Sequence, residues 1–512
     1  MKPNIRILLA LTVVLLLGLT IMPSLAQDDF VPTFEATECW FEVPFGRTID
    51  CGYVTVPENR IKASNTNTVR LAVAVMRTLS SNPEPDPIIY LDGGPGGETI
   101  SSLESFYLDT FMEFDGANRD VIFFDQRGIG FSEPRLFCQD TIDLEYDLLD
   151  DLLPIEEESD LYDEALFACR DRYLEQGIDL NSFNSSENAA DVNDIRRALG
   201  YEELNLLGIS YGSLLGQVVM RDFPEVVRSS ILDGVVLPES IQFTLGGQLN
   251  QIDRALQALF DACEADSFCN SQYPDLENVL LDLAREWNEN PESVIVATLT
   301  EEQDAIEETY PALVSGDEML GAVITMLYSR FLVPIIPQMI YDIQDGGYNI
   351  LGIILGFRLE SGLEFSEVMM LSVICLEDGP YLNEDLFTEV RGSVSEVAAE
   401  YVPESSIPDS YLIDYCTNWV QGGSAPEVYS PVVSDIPTLL LSGEFDPVTP
   451  FDFAEAVAEN LSTSYSYLFP AFGHGSSIAG GCPTDISVEF INNPMSEPDA
   501  SCIADMPAIT FE

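Results

Sequence analysis

Histidine is almost absent from this sequence, because the 512 residues contain only one, His474. The ten cysteines include no pair with the CxxC spacing. Zinc sites in proteins are built mainly from histidine nitrogens and cysteine thiolates, often in such pairs. We therefore expect no metal and no cofactor, and any reaction that needs an imidazole base must use His474.

Basic residues are scarce too. Lysine and arginine number 21 against 87 aspartates and glutamates, and the formal net charge is -66. Such a charge repels polyanions, which argues against nucleic acids and anionic lipid surfaces as partners. Because the acidic residues are spread along a chain that is 46% hydrophobic, they indicate the solvated surface of a folded protein rather than a disordered tail.

The N-terminus has the pattern of a secretory signal. Lys2 and Arg6 precede an apolar run over residues 7–21, and the small-residue segment 24–26 follows. This pattern predicts a cleaved signal peptide over residues 1–26 and a secreted or periplasmic protein. The alternative is an uncleaved membrane anchor, although the run is shorter than the roughly 20 residues that span a bilayer.

All ten cysteines follow the predicted signal. An even number of cysteines in an exported protein indicates disulfides rather than metal ligands. Because short loops cost the least entropy to close, we expect each cysteine to pair with a neighbour in sequence. The expected pairs are Cys39 with Cys51, Cys138 with Cys169, Cys263 with Cys269, Cys375 with Cys416, and Cys482 with Cys502.

The first part of the mature chain, residues 27–236, alternates strands and helices. Four apolar runs bounded by Gly or Asp read as strands buried on both faces: PIIYLDGG, DVIFFDQRG, ELNLLGIS and SSILDGVV. Between two of them a helical pattern begins near Ser185 or Ser186, either of which could be the N-cap, and stops at Gly200. These features predict a doubly wound, mostly parallel α/β sheet.

The middle of the chain has a different pattern. Residues 237–430 contain long amphipathic or apolar helical stretches without regular strand alternation, which predicts a mainly helical cap inserted between two core halves. Strands and helices alternate again over residues 431–512. There Thr449 is the expected N-cap of a helix that has Pro450 at its first position.

The sharpest chemical motif is Gly208-Ile209-Ser210-Tyr211-Gly212, which fits G-x-S-x-G between a predicted strand and a predicted helix. The glycines allow a sharp turn that would expose Ser210 as a nucleophile. The amide of Tyr211 could then donate to an oxyanion. The alternative is an ordinary turn between a strand and a helix.

The serine needs a base and an acid. His474 lies between two glycines just after the last predicted strand. The acid should lie between the serine and the histidine at a strand end, where Glu444 and Asp446 are available. Asp446 is preferred because it lies in the turn before a helix, and the order serine, aspartate, histidine is that of the α/β-hydrolases.

A glycine-rich loop, YLDGGPGG, follows an early predicted strand. Glycine lets backbone amides approach a substrate closely, so this loop could supply the second oxyanion donor. Gly94 is the preferred donor and Gly93 the next choice. The alternative is a purely structural turn.

The order of five motifs, YLDGGPGG, DVIFFDQRGIGFS, GISYG, GEFDPVTP and FGHG, resembles the proline iminopeptidase and tripeptidyl aminopeptidase family of α/β-hydrolases. The resemblance covers roughly residues 45–235 and 430–480. It implies a core with a helical cap, and an enzyme that removes one or a few residues from the free N-terminus of peptides through an acyl-enzyme.

Several details refine the resemblance. The length, signal and cysteines look more like the secreted tripeptidyl aminopeptidase branch. Asp92 stands where many members have histidine before the two glycines, which puts in doubt a close correspondence with the single-residue proline iminopeptidases. The segment 125–132, DQRGIGFS, is expected to support the site structurally.

An exopeptidase must also recognise the substrate ammonium. Glu377 ends the apolar run SEVMMLSVICLE, and a partly desolvated carboxylate there could bind an amine through a charge-assisted hydrogen bond. Cap carboxylates bind the amine in the resembling family, which is consistent with this role. The alternative is that Glu377 or Asp378 caps a turn or pairs with an arginine.

Together these features predict a secreted serine exopeptidase that acts on peptides with a free N-terminus. A secreted esterase or lipase-like hydrolase would use the same triad and differ mainly in its cap. A catalytically inactive binding module on the same fold is the third possibility.

Overall fold

The computed structural model describes residues 30–511, apart from eight short segments. The segments outside the described residues are 63, 104–106, 152, 241–244, 301–304, 383–389, 403–408 and 420–427. The predicted signal peptide also lies outside the described residues. No helix in the described part of the chain is long and apolar enough to cross a membrane.

Eleven strands are described. They are β1 Phe34–Thr37, β2 Ile49–Pro57, β3 Thr68–Met76, β4 Ile88–Leu91, β5 Val121–Phe124, β6 Leu204–Ile209, β7 Val227–Asp233, β8 Glu292–Leu299, β9 Ile306–Val314, β10 Thr438–Gly443 and β11 Ser464–Phe469. Nine of them form one sheet in the order β1-β2-β3-β5-β4-β6-β7-β10-β11. The strands pair antiparallel from β1 to β5 and parallel from β5 to β11, which confirms the mostly parallel α/β fold.

The helices alternate with these strands and fill the interval between β7 and β10. They are α1 Leu108–Met112, α2 Gln139–Leu148, α3 Ile155–Glu175, α4 Ser185–Leu199, α5 Tyr211–Asp222, α6 Leu245–Ala265, α7 Ser267–Gln272, α8 Leu276–Glu289, α9 Gly316–Leu327, α10 Ile336–Gln344, α11 Asn349–Ser361, α12 Glu367–Glu377, α13 Glu396–Tyr401, α14 Asp409–Trp419, α15 Phe451–Ala458 and α16 Cys482–Asn492.

The central strands are covered on both faces. Strands β4, β5, β6 and β10 are buried along their whole length, as their continuous apolar sequences predict. One face packs against α4 and α5 and the other against α1 and α16. Helix α4 ends at Gly200 as expected, but its N-cap is Asn184, whose side chain accepts from the amide of Glu187, and not Ser185 or Ser186.

The interval between β7 and β10 is mainly helical, but it also contains an antiparallel hairpin of β8 and β9 that the sequence analysis missed. Val294 and Val296 of β8 point into the cluster formed by the surrounding helices. Helix α11 lies directly on this strand, because Gly352 and Gly356 carry no Cβ that would collide with strand carbonyls. The alternation of buried and exposed residues in β8 is short. This segment forms a strand because helix α11 covers one of its faces.

Helices α12 and α14 differ from the rest of this interval. Their apolar residues join the core cluster that also contains α4 and α5. The chain just before α12 is bonded to the glycine-rich loop, with the amide of Ser366 donating to the Gly96 carbonyl at 2.9 Å. The segment predicted as one cap thus has a part that packs with the core.

The ten cysteines form five disulfides. The bonded pairs are the five neighbouring pairs expected from the sequence, Cys39–Cys51, Cys138–Cys169, Cys263–Cys269, Cys375–Cys416 and Cys482–Cys502. Disulfides persist in oxidising compartments outside the cytoplasm. The structure is therefore consistent with an extracellular protein.

Replacing Gly356 with alanine should destabilise the fold, because the new Cβ would lie 2.0 Å from the carbonyl oxygen of Ala297. Overpacking of this kind costs about 1–3 kcal/mol or more, against roughly 1 kcal/mol that alanine gains within a helix. We expect a lower urea midpoint of unfolding. Gly379→Ala is the control, since its Cβ would meet nothing closer than 3.5 Å; equal midpoints for the two variants would contradict the prediction.

Candidate active site

Ser210 lies at the turn between β6 and α5 with φ 56° and ψ -126°, a conformation that is rare for a residue with a side chain. The two motif glycines make this turn possible. A Cβ on Gly208 would lie 2.1 Å from the Gly212 carbonyl oxygen, and one on Gly212 would lie 1.9 Å from that of Leu91. Strand β6, helix α5 and the end of β4 thus meet backbone to backbone, and the turn presents Ser210 at the edge of the sheet.

His474 and Asp446 lie side by side on the loops that follow β11 and β10. The Nδ1 atom of His474 is 2.8 Å from Oδ2 of Asp446, and their side chains are 10% and 0% exposed. The other oxygen of Asp446, Oδ1, accepts from the amides of Val448 and Thr449 at 2.9 Å each. These bonds hold the carboxylate in one orientation, and the carboxylate in turn orients the imidazole.

Thr449 is a site residue that the sequence analysis did not identify. Its hydroxyl donates to Oδ2 of Asp446 at 2.5 Å and lies 3.0 Å from Nδ1 of His474. The expectation that Thr449 is an N-cap was wrong, since the N-cap is Pro450 and α15 begins at Phe451. Because the helix begins one residue later than expected, the Thr449 hydroxyl can contact the Asp446 carboxylate and the His474 imidazole.

The two groups shift each other's pKa. Burial alone would lower the pKa of His474, but attraction to Asp446, the hydrogen bond that His474 donates to Asp446 and the charge of Asp233 raise the pKa above 6.5. Burial alone would raise the pKa of Asp446, yet the charge of His474 and hydrogen bonds from His474 and Thr449 lower it overall. The pair therefore favours an ionised aspartate beside a readily protonated histidine.

The serine and the histidine reach the same edge of the sheet, where the carboxyl ends of the parallel strands lie. A Cβ on Gly234, just after β7, would be 2.8 Å from Cε1 of His474, and a Cβ on Gly93 would be 2.9 Å from Cβ of Ser210. No hydrogen bond joins Ser210 Oγ to His474 within the described residues. Such bonds are often long until a substrate is bound.

The amides of the two expected donor glycines in the glycine-rich loop differ in their partners. The Gly93 amide donates to the Asp92 carboxylate at 2.8 Å, whereas the Gly94 amide has no hydrogen-bond acceptor in the described part of the chain. Gly94 has φ +108°, and a Cβ there would lie 2.6 Å from the Gly96 nitrogen. Tyr211, the other expected donor, is the first residue of α5, at the positive end of the helix dipole.

Asp92 organises this loop. Its half-buried carboxylate accepts from Gly93 N at 2.8 Å, Thr99 Oγ1 at 3.0 Å, Tyr90 OH at 3.0 Å and Tyr107 OH at 3.3 Å. Burial raises the pKa of Asp92, and these hydrogen bonds oppose the rise. The residue that departs from the family pattern therefore fixes the conformation of the loop.

Glu377, the expected amine ligand, lies at the end of α12 against the start of α4. Its two carboxylate oxygens accept from the amide and the hydroxyl of Ser185 at 2.7 and 2.8 Å. The Ser185 hydroxyl is also 2.8 Å from Tyr211 OH. Burial raises the pKa of Glu377 to about 7. The capping contact considered as an alternative for Glu377 is therefore present. Ser185 links Glu377 to Tyr211, the residue that follows Ser210.

The cap holds the two loops that carry Asp446 and His474. Arg254 of α6 donates to the backbone carbonyls of Glu444, at 3.0 Å, and of Asp446. The amide of His474 donates to the carbonyl of Tyr328, just after α9, at 3.0 Å, and the two rings are in edge contact with centroids 5.2 Å apart. Sequence patterns did not identify Arg254 or Tyr328, because neither belongs to a local motif.

The pKa of His474 can be measured without ambiguity, since the chain has no other histidine. NMR titration of its imidazole should give a pKa above 6.5. Asp446→Asn should lower that pKa below 6.5, because the attraction that raises it is removed while burial, which lowers it, remains. Asp452→Asn, on the exterior of α15, is the control. An unchanged His474 pKa in Asp446→Asn would contradict the electrostatic coupling.

The sign of the coupling sets a pH window. A raised folded-state pKa means that protonated His474 stabilises the fold below its unfolded value, and this contribution is lost as the pH rises through the folded pKa. The neutral imidazole, the form that can accept a proton, accordingly predominates only at pH values above the folded pKa. Any activity that uses His474 as a base should fall as the pH decreases through the same value.

Comparison with known proteins agrees with this geometry. Residues 86–308 match the family model "alpha/beta hydrolase fold", and residues 406–502 match the model "TAP-like protein". The tripeptidyl aminopeptidase of Streptomyces coelicolor is 31% identical over 226 residues, or 42% of this chain and 40% of that protein. This match thus spans about two fifths of the relative's length.

Two further relatives extend the comparison. The serine protease Hip1 of Mycobacterium tuberculosis is 23% identical over 77% of this chain and 76% of that protein. "Probable proline iminopeptidase" of Streptomyces coelicolor is 26% identical over 32% of this chain and 37% of that protein. The resemblance seen in the motifs is confirmed, because the chain has the α/β-hydrolase fold and is similar to tripeptidyl aminopeptidases and proline iminopeptidases.

Proposed function

We propose that this chain is a secreted serine exopeptidase that hydrolyses peptide bonds near the free N-terminus of its substrates. The observation that carries the proposal is the buried contact of 2.8 Å between Asp446 and the sole histidine, at the sheet edge where a strained turn presents Ser210. Relatives named as peptidases support peptide substrates. The disulfides support secretion.

In the proposed reaction, Ser210 Oγ attacks the peptide carbonyl while Nε2 of His474 takes its proton. Asp446 holds Nδ1, so it fixes the imidazole tautomer and stabilises the imidazolium. The amides of Tyr211 and Gly94 donate to the oxyanion of the tetrahedral intermediate. His474 then gives its proton to the leaving amine, the C–N bond breaks, and water activated by His474 hydrolyses the acyl-enzyme.

The proposed amine ligand is Glu377. It is buried, and it accepts hydrogen bonds from the amide and the hydroxyl of Ser185. A carboxylate has about four lone-pair sites, so two donors from one serine leave capacity for an ammonium. The hydrogen bond between the hydroxyls of Ser185 and Tyr211 connects this carboxylate to the residue that follows Ser210, which supports a role beside the site.

Ser210→Ala and His474→Ala should each reduce turnover by about 10⁴-fold or more, because the members of a triad act as a unit. Steady-state hydrolysis of a free-amine peptide measures this loss, and labelling by a fluorophosphonate should disappear in Ser210→Ala. Ser271→Ala, an exposed serine of α7, is the matched control and should behave as wild type. Near-normal turnover by purified His474→Ala would refute the triad, and a wild-type protein that is never labelled would indicate an inactive binding module.

Glu377→Gln should reduce turnover of a free-amine peptide by roughly 10- to 100-fold, the equivalent of a charged hydrogen bond worth about 1.5–3 kcal/mol. A small neutral ester should be hydrolysed almost as by wild type, because it has no ammonium. Wild type should also cleave an N-acetylated peptide poorly.

The control for Glu377→Gln is Ser185→Ala, which removes the hydroxyl that bonds to Glu377 but keeps the carboxylate charge. Selectivity for the free amine should survive in this variant. Equal losses on peptide and ester in Glu377→Gln would assign Glu377 to structure alone. Efficient ester hydrolysis by wild type without peptide cleavage would favour the esterase alternative.

A further inference from the structure

Arg330 differs from the other described cationic residues of this acidic chain. Each of the other lysines and arginines that the structure describes forms a hydrogen bond or an ion pair, whereas Arg330 has neither a carboxylate nor a carbonyl partner among the described residues. Its guanidinium contacts the aromatic rings of Phe331 and Phe472. In a chain with 87 acidic residues and 21 basic ones, an arginine that no acid neutralises requires a physical explanation.

The position of Arg330 connects it to the candidate active site. It lies two residues after Tyr328, whose carbonyl accepts from the His474 amide and whose ring contacts the His474 ring. Its guanidinium carbon is 4.1 Å from the ring centroid of Phe472, which lies two residues before His474. The guanidinium is thus fixed against the loop that carries the candidate base.

The aromatic contacts leave the hydrogen-bonding capacity of Arg330 unused. A guanidinium that interacts with rings through its face keeps its N–H donors, which lie in its plane, available for a planar acceptor. Phe472 is buried, and Phe331, whose ring centroid is 5.4 Å from the guanidinium carbon, is 69% exposed. The rings hold the group in place beside the site without supplying an acceptor, and a carboxylate is the acceptor that fits its fork geometry.

The chemistry of the proposed reaction indicates which part of the substrate would be near. His474 gives its proton to the departing amine, so the leaving product lies beside the imidazole. The cap turn at residues 328–332 packs against the loop of His474 and therefore borders that side. An acyl-side group would instead lie toward the oxyanion amides of Gly94 and Tyr211.

We infer that Arg330 is a binding site for a carboxylate on the leaving-group side of the substrate. The inference rests on the proposed function and adds a substrate class to it. The carboxylate could be the C-terminus of a short leaving peptide or the side chain of an aspartate or glutamate next to the cleaved bond. Both sources present the same planar anion to the guanidinium.

Three peptides with the same N-terminal part separate these sources. The first has a free C-terminal carboxylate on a single leaving residue, the second has the same residue amidated, and the third has an amidated aspartate in that place. Wild type should cleave the first or the third with kcat/KM about 10- to 100-fold above the second, the scale of a charged hydrogen bond. The preferred peptide identifies the source of the carboxylate.

Arg330→Gln should abolish this preference and leave cleavage of the neutral second peptide unchanged. Arg330→Lys keeps the charge without the planar fork and should retain part of the preference. Arg285→Gln removes a cap arginine that pairs with Glu396 and Glu400, and it should behave as wild type. Equal preference ratios for wild type and Arg330→Gln would overturn the inference, as would a wild type that does not distinguish the peptides.

A pair of esters keeps the inference testable if the chain does not cleave peptides. Their leaving alcohols carry either a carboxylate or the corresponding methylamide. An Arg330-dependent preference for the carboxylate ester, without peptide cleavage, would support the carboxylate site and reject the peptidase proposal. Peptide cleavage with no Arg330-dependent preference in either series would support the peptidase proposal and reject the carboxylate site. A wild type that is inactive on peptides and esters would reject both proposals.

Discussion

Close backbone packing at the carboxyl edge of the parallel sheet is the constraint on which the candidate site depends. A Cβ on Gly212 would lie 1.9 Å from the Leu91 carbonyl, and one on Gly443 would lie 1.9 Å from the Gly473 carbonyl. Glycine at these positions lets the serine turn meet the glycine-rich loop, and lets the acid and histidine loops meet each other. Without this packing the buried contact between carboxylate and imidazole could not form at 2.8 Å.

The cap also holds the two loops that carry Asp446 and His474 at this edge of the sheet. Arg254 binds the carbonyls of the acid loop, and Tyr328 accepts from the backbone of the histidine loop. A Cβ on Gly473 would lie 2.3 Å from the Leu327 carbonyl, so the end of α9 rests directly on the loop. The orientation of the candidate acid and base therefore depends on the cap, an insertion that is remote in sequence from both. A lid that covered only the substrate would not affect their orientation in this way.

Some of the few cations of the chain neutralise buried acids beside the core. Arg60 contacts Glu187, Asp191 and Asp194 at 2.6–2.8 Å, and the fully buried Arg127 binds Asp191 with two nitrogens. These ion pairs lie along α4, whose first turn approaches the serine helix through Ser185. Removal of one partner from such a buried network is strongly destabilising, because it leaves an uncompensated charge.

The sequence by itself determined the fold class, the family resemblance and the pairing of neighbouring cysteines, because buried strands, glycine turns and short loops leave local patterns. It also singled out Ser210 and His474, one through its motif and the other through its rarity. Only the tertiary structure decided that Thr449 contacts the acid rather than capping a helix, that β8 and β9 form a hairpin, and that Arg254 and Tyr328 reach the site. These features arise from contacts between segments far apart in the chain, and no local pattern encodes which distant surface will cover a residue.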